Sequence, residues 1–469
     1  MGKKTDPTQM WRIICPEYSG AMKRALHIVY DAISARLDYT PSVERNFGET
    51  NCNLAIVGTY DNEIIKKVLD EEIKEGEYLV KVKPSPFDGE KKIAIISGFS
   101  PVDVMYAAND FADDYTVKAA ETDRIPFFDK VFNGIAPDYC VKTSPFVKRR
   151  GLWTWGHCIY DYKKYFDNMA RLKLNRVTIW NDFVPFNIDD ILDYAHSLGI
   201  AVILGYSWGW TDHMKIDISD DSLLEKWQEN ILENYEKNYA CLDIDGIYFQ
   251  TFTETKDDNL NGINIAQKAV DFVNSTASKI LDKYPNLEIQ FGLHATSVKN
   301  QLDIIAKTDK RVSIIWEDCG DFPWEYLAFV DQNQEATEDF TKQIMSLRDN
   351  APTGGVFKGQ VCLDWWNFKN QTGRYIMGEN MTKGKTKRDY AQRILHQNQS
   401  YWLKNADKLQ SMVKLMGENA DISDLLEEGL FEEGIWFAAA LYAEVLWNPN
   451  RDINDIIRLV SERENIRFA

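Results

Sequence analysis

Seven short apolar runs recur between residues 151 and 361, and stretches with the periodicity of amphipathic helices separate them. Such alternation favours an α/β fold with a parallel sheet. An open doubly wound sheet is the alternative, but no glycine-rich phosphate-binding turn follows the first run, and the size suits a closed (β/α)8 TIM barrel better. We expect the eighth strand between 420 and 435, after a helical insertion at 386–418. The runs span 151–155, 176–180, 201–205, 246–250, 287–291, 312–316 and 356–361.

The chain before the barrel has a different pattern. Apolar runs at 53–58 and 92–97 indicate strands, and helix-like stretches surround them, so residues 1–120 are predicted to form a small two-layer α/β accessory domain. Segment 121–149 contains three prolines and little periodicity, which is typical of a linker. The barrel domain is therefore expected to cover 150–469. The helices of the accessory domain are predicted at 22–37, 61–75 and 101–115.

Composition excludes several classes of function. The net charge of -18 provides no basic surface for a nucleic acid, so no such partner is expected. Seven cysteines without CxxC spacing and six histidines without an HExxH motif favour reduced thiols and predict no metal site. The polar N-terminus and the lack of an apolar stretch of about 18 residues predict a cytoplasmic protein without a membrane partner.

Tryptophans are concentrated where the predicted barrel strands end. Active sites of such barrels lie at the C-terminal ends of the strands, so these positions are candidates for ligand contact. Indole rings stack on the apolar faces of sugars while their N–H groups donate hydrogen bonds, and the pattern therefore predicts a carbohydrate ligand. Any single tryptophan is as well explained by core packing. The set comprises Trp153, Trp155, Trp180, Trp208, Trp210, Trp316, Trp365 and Trp366.

Four carboxylates follow predicted strands in the same way. Glycoside hydrolysis needs one carboxylic acid to protonate the departing oxygen and one carboxylate to activate water or attack the sugar. Glu254 follows the fourth strand in a partly aromatic segment, which favours it as the acid. Glu317 and Asp318 follow the sixth strand and Asp364 the seventh, so the second carboxylate stays open among these three.

Other polar residues near the strand ends are candidates for contacts with sugar hydroxyls. Arg150 and His294 have equally good structural explanations, in ion pairing and in the barrel wall respectively. The full set of candidates is Arg150, His157, Asn181, Asp182, His213, His294 and Lys358.

Several segments resemble glycoside hydrolase family 67, the α-glucuronidases, within the wider group of barrels that follow a hexosaminidase-type α/β domain. Residues 165–175 are similar to the family's helix before its second strand, and 196–202 to the approach to its third. Residues 440–452 resemble its closing helix and the Trp-Asn-Pro turn. Glu254, after the small hydroxyl residue Thr253, matches the position of the family's general acid. The resemblance covers nearly the whole chain and implies an inverting mechanism.

The chain also departs from the family's pattern. The seventh strand ends in Leu363-Asp364-Trp365-Trp366-Asn367 and lacks the family's Arg-Glu-Pro signature, and the family's large C-terminal helical region is not found. Hexosaminidases that use the substrate's acetamido group need an aspartate directly before the acid, where this chain has Thr253. Asp257 and Asp258 are the nearest substitutes.

The sequence therefore predicts a glycoside hydrolase of α-glucuronidase-like type that acts on an imported oligosaccharide or glycoside and requires no cofactor. Three alternatives stay open: a β-N-acetylhexosaminidase-like enzyme, a catalytically silent sugar-binding barrel and a metal-dependent barrel hydrolase. A homo-oligomer is compatible with all of them.

Overall fold

A computed structural model of the chain divides into two compact units, Met1–Pro145 with Ser197–Gly199 and Phe146–His196 with Ile200–Ala469. The residues that the structure describes are 10–116 without 36, 38 and 49; 138–206 without 182; 217–253; 257–293; 299–317; 334–361; 372–378; and 396–468 without 397, 418, 419 and 429.

The first unit is a six-stranded sheet with helices. Its sheet order is β2-β1-β3-β5-β4-β6, in which β4 pairs antiparallel with both neighbours and the other pairs are parallel. The α/β alternation predicted for this region is confirmed. Its elements are β1 (Trp11–Ile14), α1 (Gly20–Ser34), β2 (Ser42–Glu44), β3 (Asn53–Thr59), α2 (Glu63–Lys66), β4 (Tyr78–Pro84), β5 (Lys92–Gly98), α3 (Pro101–Asp110), a π-helix that continues α3 (Phe111–Tyr115) and β6 (Tyr139–Thr143).

Two predictions for this unit differ from the structure. The helix predicted at 61–75 is a single turn, α2, because Ile64, Ile65, Val68, Leu69 and Ile73 pack as an irregular segment on one face of the sheet. The predicted linker contains β6, which pairs with β4. Its alternating side chains indicate an edge strand, but the neighbouring prolines conceal that signal.

The second unit is a closed barrel of eight parallel strands, as predicted. The chain order of the strands is their order around the barrel, so β16 pairs with β7 and closes it. The eighth strand lies within the predicted window. The strands are β7 (Arg149–Trp155), β8 (Arg176–Trp180), β9 (Ala201–Gly205), β10 (Gly246–Phe249), β13 (Glu288–Leu293), β14 (Val312–Trp316), β15 (Thr353–Val361) and β16 (Ile422–Glu428); a small hairpin contains β11 (Asn259–Leu260) and β12 (Ile263–Asn264).

Helices connect and surround the strands. Several begin at a side chain that accepts a hydrogen bond from the first turn, including Asp161, Asp220, Asn264 and Asp452, which stabilises each N-terminus. The described part of the predicted insertion is helical at 398–404 and 406–417. The helices are α4 (Tyr162–Arg171), α5 (Ile188–Ser197), α6 (Asp221–Asn238), α7 (Ile265–Leu281), α8 (Leu302–Ile305), α9 (Gln334–Met345), α10 (Ala406–Gly417), α11 (Phe437–Trp447) and α12 (Ile453–Arg463).

The barrel interior is filled by alternate residues of its strands, since successive side chains of a strand point to opposite faces. The central layer is apolar and aromatic, and it separates two polar ends. It consists of Trp153, Trp180, Ile203, Tyr248, Ile315, Val356 and Ile422, with Trp155 packed against it.

Candidate active site

Four aromatic rings form a wall in the C-terminal half of the barrel. The Trp155 and Trp180 rings stack with centroids 5.8 Å apart, and Trp153 lies 5.7 Å from Trp180 and 5.5 Å from Tyr248. Gly205 makes room for this wall, because a Cβ at that position would overlap the Trp180 indole. Trp153 and Trp180 are buried, whereas Trp155 is partly exposed. Of the described tryptophans in the wall, Trp155 therefore has the surface to contact a ligand.

Glu317 lies beside this wall, directly after β14. It is 1 % exposed, and its Oε1 accepts hydrogen bonds from the Tyr248 hydroxyl and the Gln250 side-chain amide. Gly292 permits the contact, since a Cβ there would overlap both the Tyr248 hydroxyl and the Glu317 carboxylate. Three neighbouring strands therefore hold one carboxyl group at the C-terminal end of the barrel.

Burial raises the pKa of Glu317, while the donors Tyr248 and Gln250 and the charge of Lys358 oppose this shift by stabilising the carboxylate. Lys358 lies in β15 next to an irregularity in its pairing with β16. The result is a carboxyl group that is more basic than an exposed glutamate and that has fixed donors for its charged form. Such a group can take a proton from a bound water molecule.

His157 and Asn181 lie in the loops after β7 and β8. The Asn181 amide donates to the Tyr375 hydroxyl, and His157 Nε2 lies 3.6 Å from Glu432 Oε1. Burial lowers the pKa of His157, but the carboxylates of Glu432 and Glu427 outweigh it and raise the pKa overall. The histidine is therefore an anchor between the first and eighth strand regions.

Several residues that complete this end of the barrel were not predicted from the sequence. Glu427 accepts from the Tyr165 hydroxyl at 2.9 Å, and Glu432 accepts from the Tyr160 backbone N–H at 3.0 Å. Glu427 lies near the end of the eighth strand and Glu432 follows that strand, so an exact placement of the strand would have identified both. Tyr248 lies inward in the fourth strand and Gln250 directly follows that strand, two residues later, so period-2 alternation is the signal that would have found them.

Two predicted site residues lie elsewhere. Trp316 faces away from the barrel interior: its ring packs 4.9 Å from Phe340, and its Nε1 donates to Thr341 Oγ1 at 3.2 Å, both in α9. Alternation explains this position, because Glu317 points inward and the preceding residue must point outward. Trp316 is therefore part of the packing between strand and helix, not of the aromatic wall.

Arg150 lies near the start of β7, at the opposite end of the barrel from the aromatic wall. Its buried guanidinium donates to the backbone carbonyls of Val147, Lys148 and Lys173 at 2.7–3.1 Å and lies 5.1 Å from the Trp447 ring centroid. These contacts fix the chain as it enters the barrel. The structure therefore separates Arg150 from the candidate site.

The remaining predicted residues lie outside the described part of the chain, and the structure does not bring them into the site or remove them from it. They are Asp182, Trp208, Trp210, His213, Glu254, His294, Asp318, Asp364, Trp365 and Trp366.

The N-terminal end of the barrel contains a cluster of charged residues. Arg176 lies 3.2 Å from Asp424 and 3.6 Å from Glu288, and Arg149 lies 3.0 Å from Glu288. Burial raises the pKa of Asp424 to about 6 although Arg176 opposes it, and the neighbouring Glu288 adds to the rise. Burial also opposes ionisation of Glu288, but Arg176 and Arg149 lower its pKa overall.

Neither a metal site nor a membrane span occurs in the part of the chain that the structure describes. Over these ranges, no three His, Cys, Asp or Glu side chains are grouped in a way that could hold a metal ion. The same residues include no helix with the length and apolar character needed to span a bilayer. The cytoplasmic location and the independence of a cofactor stay predictions.

Comparison with known proteins identifies the fold. No family model and no curated protein matches the chain. Among solved structures, CpGH84B aligns over 98% of this chain and 72% of its own length, with 10% identity and a TM-score of 0.54. This likeness supports the shared barrel architecture and nothing finer.

Two further structures have lower TM-scores. A family 89 glycoside hydrolase from Clostridium perfringens, solved with PUGNAc, aligns over 96% of this chain and 51% of its own length, with 10% identity and a TM-score of 0.49. A mutant of the Thermobaculum terrenum O-GlcNAc hydrolase aligns over 59% of this chain and 68% of its own, with 14% identity and a TM-score of 0.32. The chain thus spans about half the length of the family 89 hydrolase. None of these three structures is described as a family 67 enzyme.

Proposed function

We propose that this protein is a glycoside hydrolase whose active site lies at the C-terminal end of the barrel. The observation that carries the proposal is Glu317, a buried carboxyl group held by Tyr248 and Gln250 beside the partly exposed indole of Trp155. A carboxyl group of tuned basicity next to a flat aromatic surface has the components for acid/base chemistry on a sugar.

In the proposed reaction, Glu254 protonates the departing glycosidic oxygen, and Glu317 takes a proton from the water that attacks the anomeric carbon. The assignment of Glu254 derives from its position after the fourth strand and from the resemblance to family 67. Asp318 and Asp364 are the alternative bases. In an inverting enzyme the two carboxyl groups lie about 6.5–9.5 Å apart, which leaves room for the water.

The proposed substrate is an α-glucuronide or a related glycoside. Lys358, whose charge acts on Glu317, is a cation of this end of the barrel and a candidate partner for a sugar carboxylate. An N-acetylhexosaminide is the alternative substrate. Thr253 is buried and provides no carboxylate to orient an acetamido group, which favours the first substrate over the second.

A screen of aryl glycosides tests the proposal. The panel contains both anomeric series and includes glucuronides and N-acetylhexosaminides, and the proteins are the wild type, Glu254→Gln and Glu317→Gln. We expect hydrolysis of one sugar series, collapse in both variants, and partial retention in Glu254→Gln for 2,4-dinitrophenyl glycosides, whose leaving group needs no acid. If all three proteins bind the sugar and none hydrolyses it, the protein is a binding barrel.

The stereochemistry of the first product tests the inverting mechanism. Proton NMR during the first minutes of hydrolysis identifies the anomer before it mutarotates. We expect the released sugar to have the anomeric configuration opposite to that of the substrate. Release of the same configuration would mean that Glu317 attacks the sugar as a nucleophile and does not activate a water molecule.

A further inference from the structure

An exposed apolar surface lies at the rim of the candidate site. The large hydrophobic residues of the second unit that are exposed within the described ranges are Phe183, Phe186, Leu260, Ile376 and Phe468. Phe183, Phe186 and Ile376 lie in two segments that are bonded to each other. Isolated exposed hydrophobic residues are common, but a group of them at one location marks a binding surface.

The first segment, residues 181 and 183–187 of the described part, lies between β8 and α5 and therefore at the C-terminal face of the barrel. The second, 372–378, comes after β15 in the chain and is hydrogen-bonded to the first segment. The Phe186 N–H donates to the Tyr375 carbonyl at 2.7 Å, and Asn187 exchanges two hydrogen bonds of 2.9 Å with the Met377 backbone. A chain segment that follows the seventh strand is thereby fixed to the loop of the second.

This pairing fixes the two segments that carry the exposed apolar side chains. The backbone and amide groups of the two segments satisfy one another, which fixes both segments and leaves Phe186 71 % exposed and Ile376 48 % exposed. Phe183 lines a small cleft with Leu204 and Gly205 at the end of the third strand. The surface, defined here as Phe183, Phe186 and Ile376, therefore belongs to segments that follow β8 and β15 at the C-terminal face of the barrel. Asn181, which directly follows Trp180, donates to the Tyr375 hydroxyl of the second segment.

We propose that this surface binds an aromatic leaving group of the substrate, so that the protein acts on aryl glycosides. The inference rests on the proposed function. Phe and Ile side chains have no donors or acceptors for sugar hydroxyls, and they gain free energy by covering an apolar ring. The surface therefore fits a phenolic aglycone better than a second sugar.

Two substrates that share the sugar identified by the screen test the proposal: the 4-nitrophenyl glycoside, whose ring occupies the surface, and the glycosyl fluoride, whose leaving group does not. Phe186→Ala is expected to lower kcat/KM about 10-fold for the aryl glycoside and less than about twofold for the fluoride. Ile376→Ala should act in the same direction. Phe87→Ala, an exposed phenylalanine of the first unit, is the matched control and should change neither. Equal effects of Phe186→Ala on both substrates, or none on the aryl glycoside, would overturn the subsite.

A binding measurement separates this inference from the proposed function. Saturation-transfer NMR with the 4-nitrophenyl glycosides reports contact with the aromatic ring without requiring hydrolysis. We expect strong ring signals with the wild type and Phe87→Ala and weak ones with Phe186→Ala. This result without hydrolysis of any glycoside would refute the proposed function but retain the subsite, whereas unchanged ring signals in Phe186→Ala would refute the subsite even if hydrolysis occurs.

Discussion

The two ends of the barrel bury carboxylates in different ways. At the N-terminal end, Glu288 and Asp424 face the guanidinium of Arg176, so the charges are compensated by charges. At the C-terminal end, Glu317 is held by the neutral donors Tyr248 and Gln250 next to an aromatic wall. Burial alone therefore does not distinguish a structural carboxylate from a candidate catalytic one; the chemistry of its partners does.

The difference has an energetic basis. A buried ion pair offsets the loss of hydration only while both partners are present, and removal of one leaves an uncompensated charge. A carboxyl group held by neutral donors loses no buried counter-ion when one of those donors is replaced. We therefore expect substitutions at the N-terminal end to change stability and those at the C-terminal end to change activity.

The largest effect on stability is expected for Arg176→Gln. This change leaves Asp424 and Glu288 facing each other without the cation between them, and the free energy of unfolding should fall by about 3–5 kcal/mol. Denaturant titration measures the loss. Activity per folded molecule should be retained. A variant that loses activity but keeps the stability of the wild type would contradict the assignment of stability to the N-terminal end and of activity to the C-terminal end.

A comparison of Trp155→Ala with Trp316→Ala tests whether a tryptophan inside the barrel binds substrate while one outside it contributes only to packing. Loss of the partly exposed indole in the wall should raise KM about tenfold for the glycoside that the screen identifies, because a stacking surface is lost. Trp316→Ala should lower the melting temperature through lost packing on Phe340 and leave KM unchanged. Equal KM values for the two variants would remove Trp155 from the site.

Tyr248→Phe tests how the neutral donors act on Glu317. The hydroxyl donates to the carboxylate and so stabilises its charged form, and its removal should raise the pKa of Glu317 further. A base must be deprotonated, so activity is lost as pH falls through this pKa, and the acidic limb of kcat/KM should move to higher pH by about one unit. An unchanged limb would show that Glu317 does not titrate in the rate profile.

The smallest expected effect is a dependence of stability on pH at the N-terminal end. The pKa of Asp424 is about 6 in the folded protein, whereas an unfolded aspartate has a pKa of about 3.9. Between these values the folded state binds the proton more tightly, so this group's contribution to stability is present at low pH and is lost as pH rises through about 6.

Asp424→Asn removes that titration. Differential scanning fluorimetry across this pH range measures the melting temperatures of both proteins. The melting temperature of the variant minus that of the wild type should increase as pH rises. A constant difference between the two proteins would mean that Asp424 remains ionised throughout.

The barrel could be predicted from sequence because its first seven strands are short apolar runs that alternate with helical stretches. The eighth, Ile422–Glu428, could be placed only within a window, since Asp424 points inward to Arg176 and Glu427 is bonded to Tyr165, and such charged residues conceal the apolar pattern. The partners of these charged residues, Arg176 and Tyr165, lie far away in the sequence, so the local pattern does not reveal them.

The candidate site could be predicted less completely than the fold. Selecting residues at the ends of the strands identifies Glu317 and Trp155. The same criterion also selects Trp316, which points outward. Arg150 does not meet the criterion, because it lies near the start of its strand. Period-2 alternation corrects the first error, and the direction of the strand corrects the second. The bonds of Tyr248 and Gln250 to Glu317 join residues 69 and 67 positions apart, so no local pattern reveals them.

The most direct test of the account compares Glu317→Gln with Asp424→Asn, two neutralised buried carboxyl groups at opposite ends of one barrel, in hydrolysis of the glycoside identified by the screen. The account predicts that Glu317→Gln lowers kcat by about 10³-fold with a wild-type melting temperature, while Asp424→Asn keeps wild-type kcat. Equal kcat values for Glu317→Gln and the wild type, or an equal loss in both variants, would contradict the assignment of the chemistry to the C-terminal end.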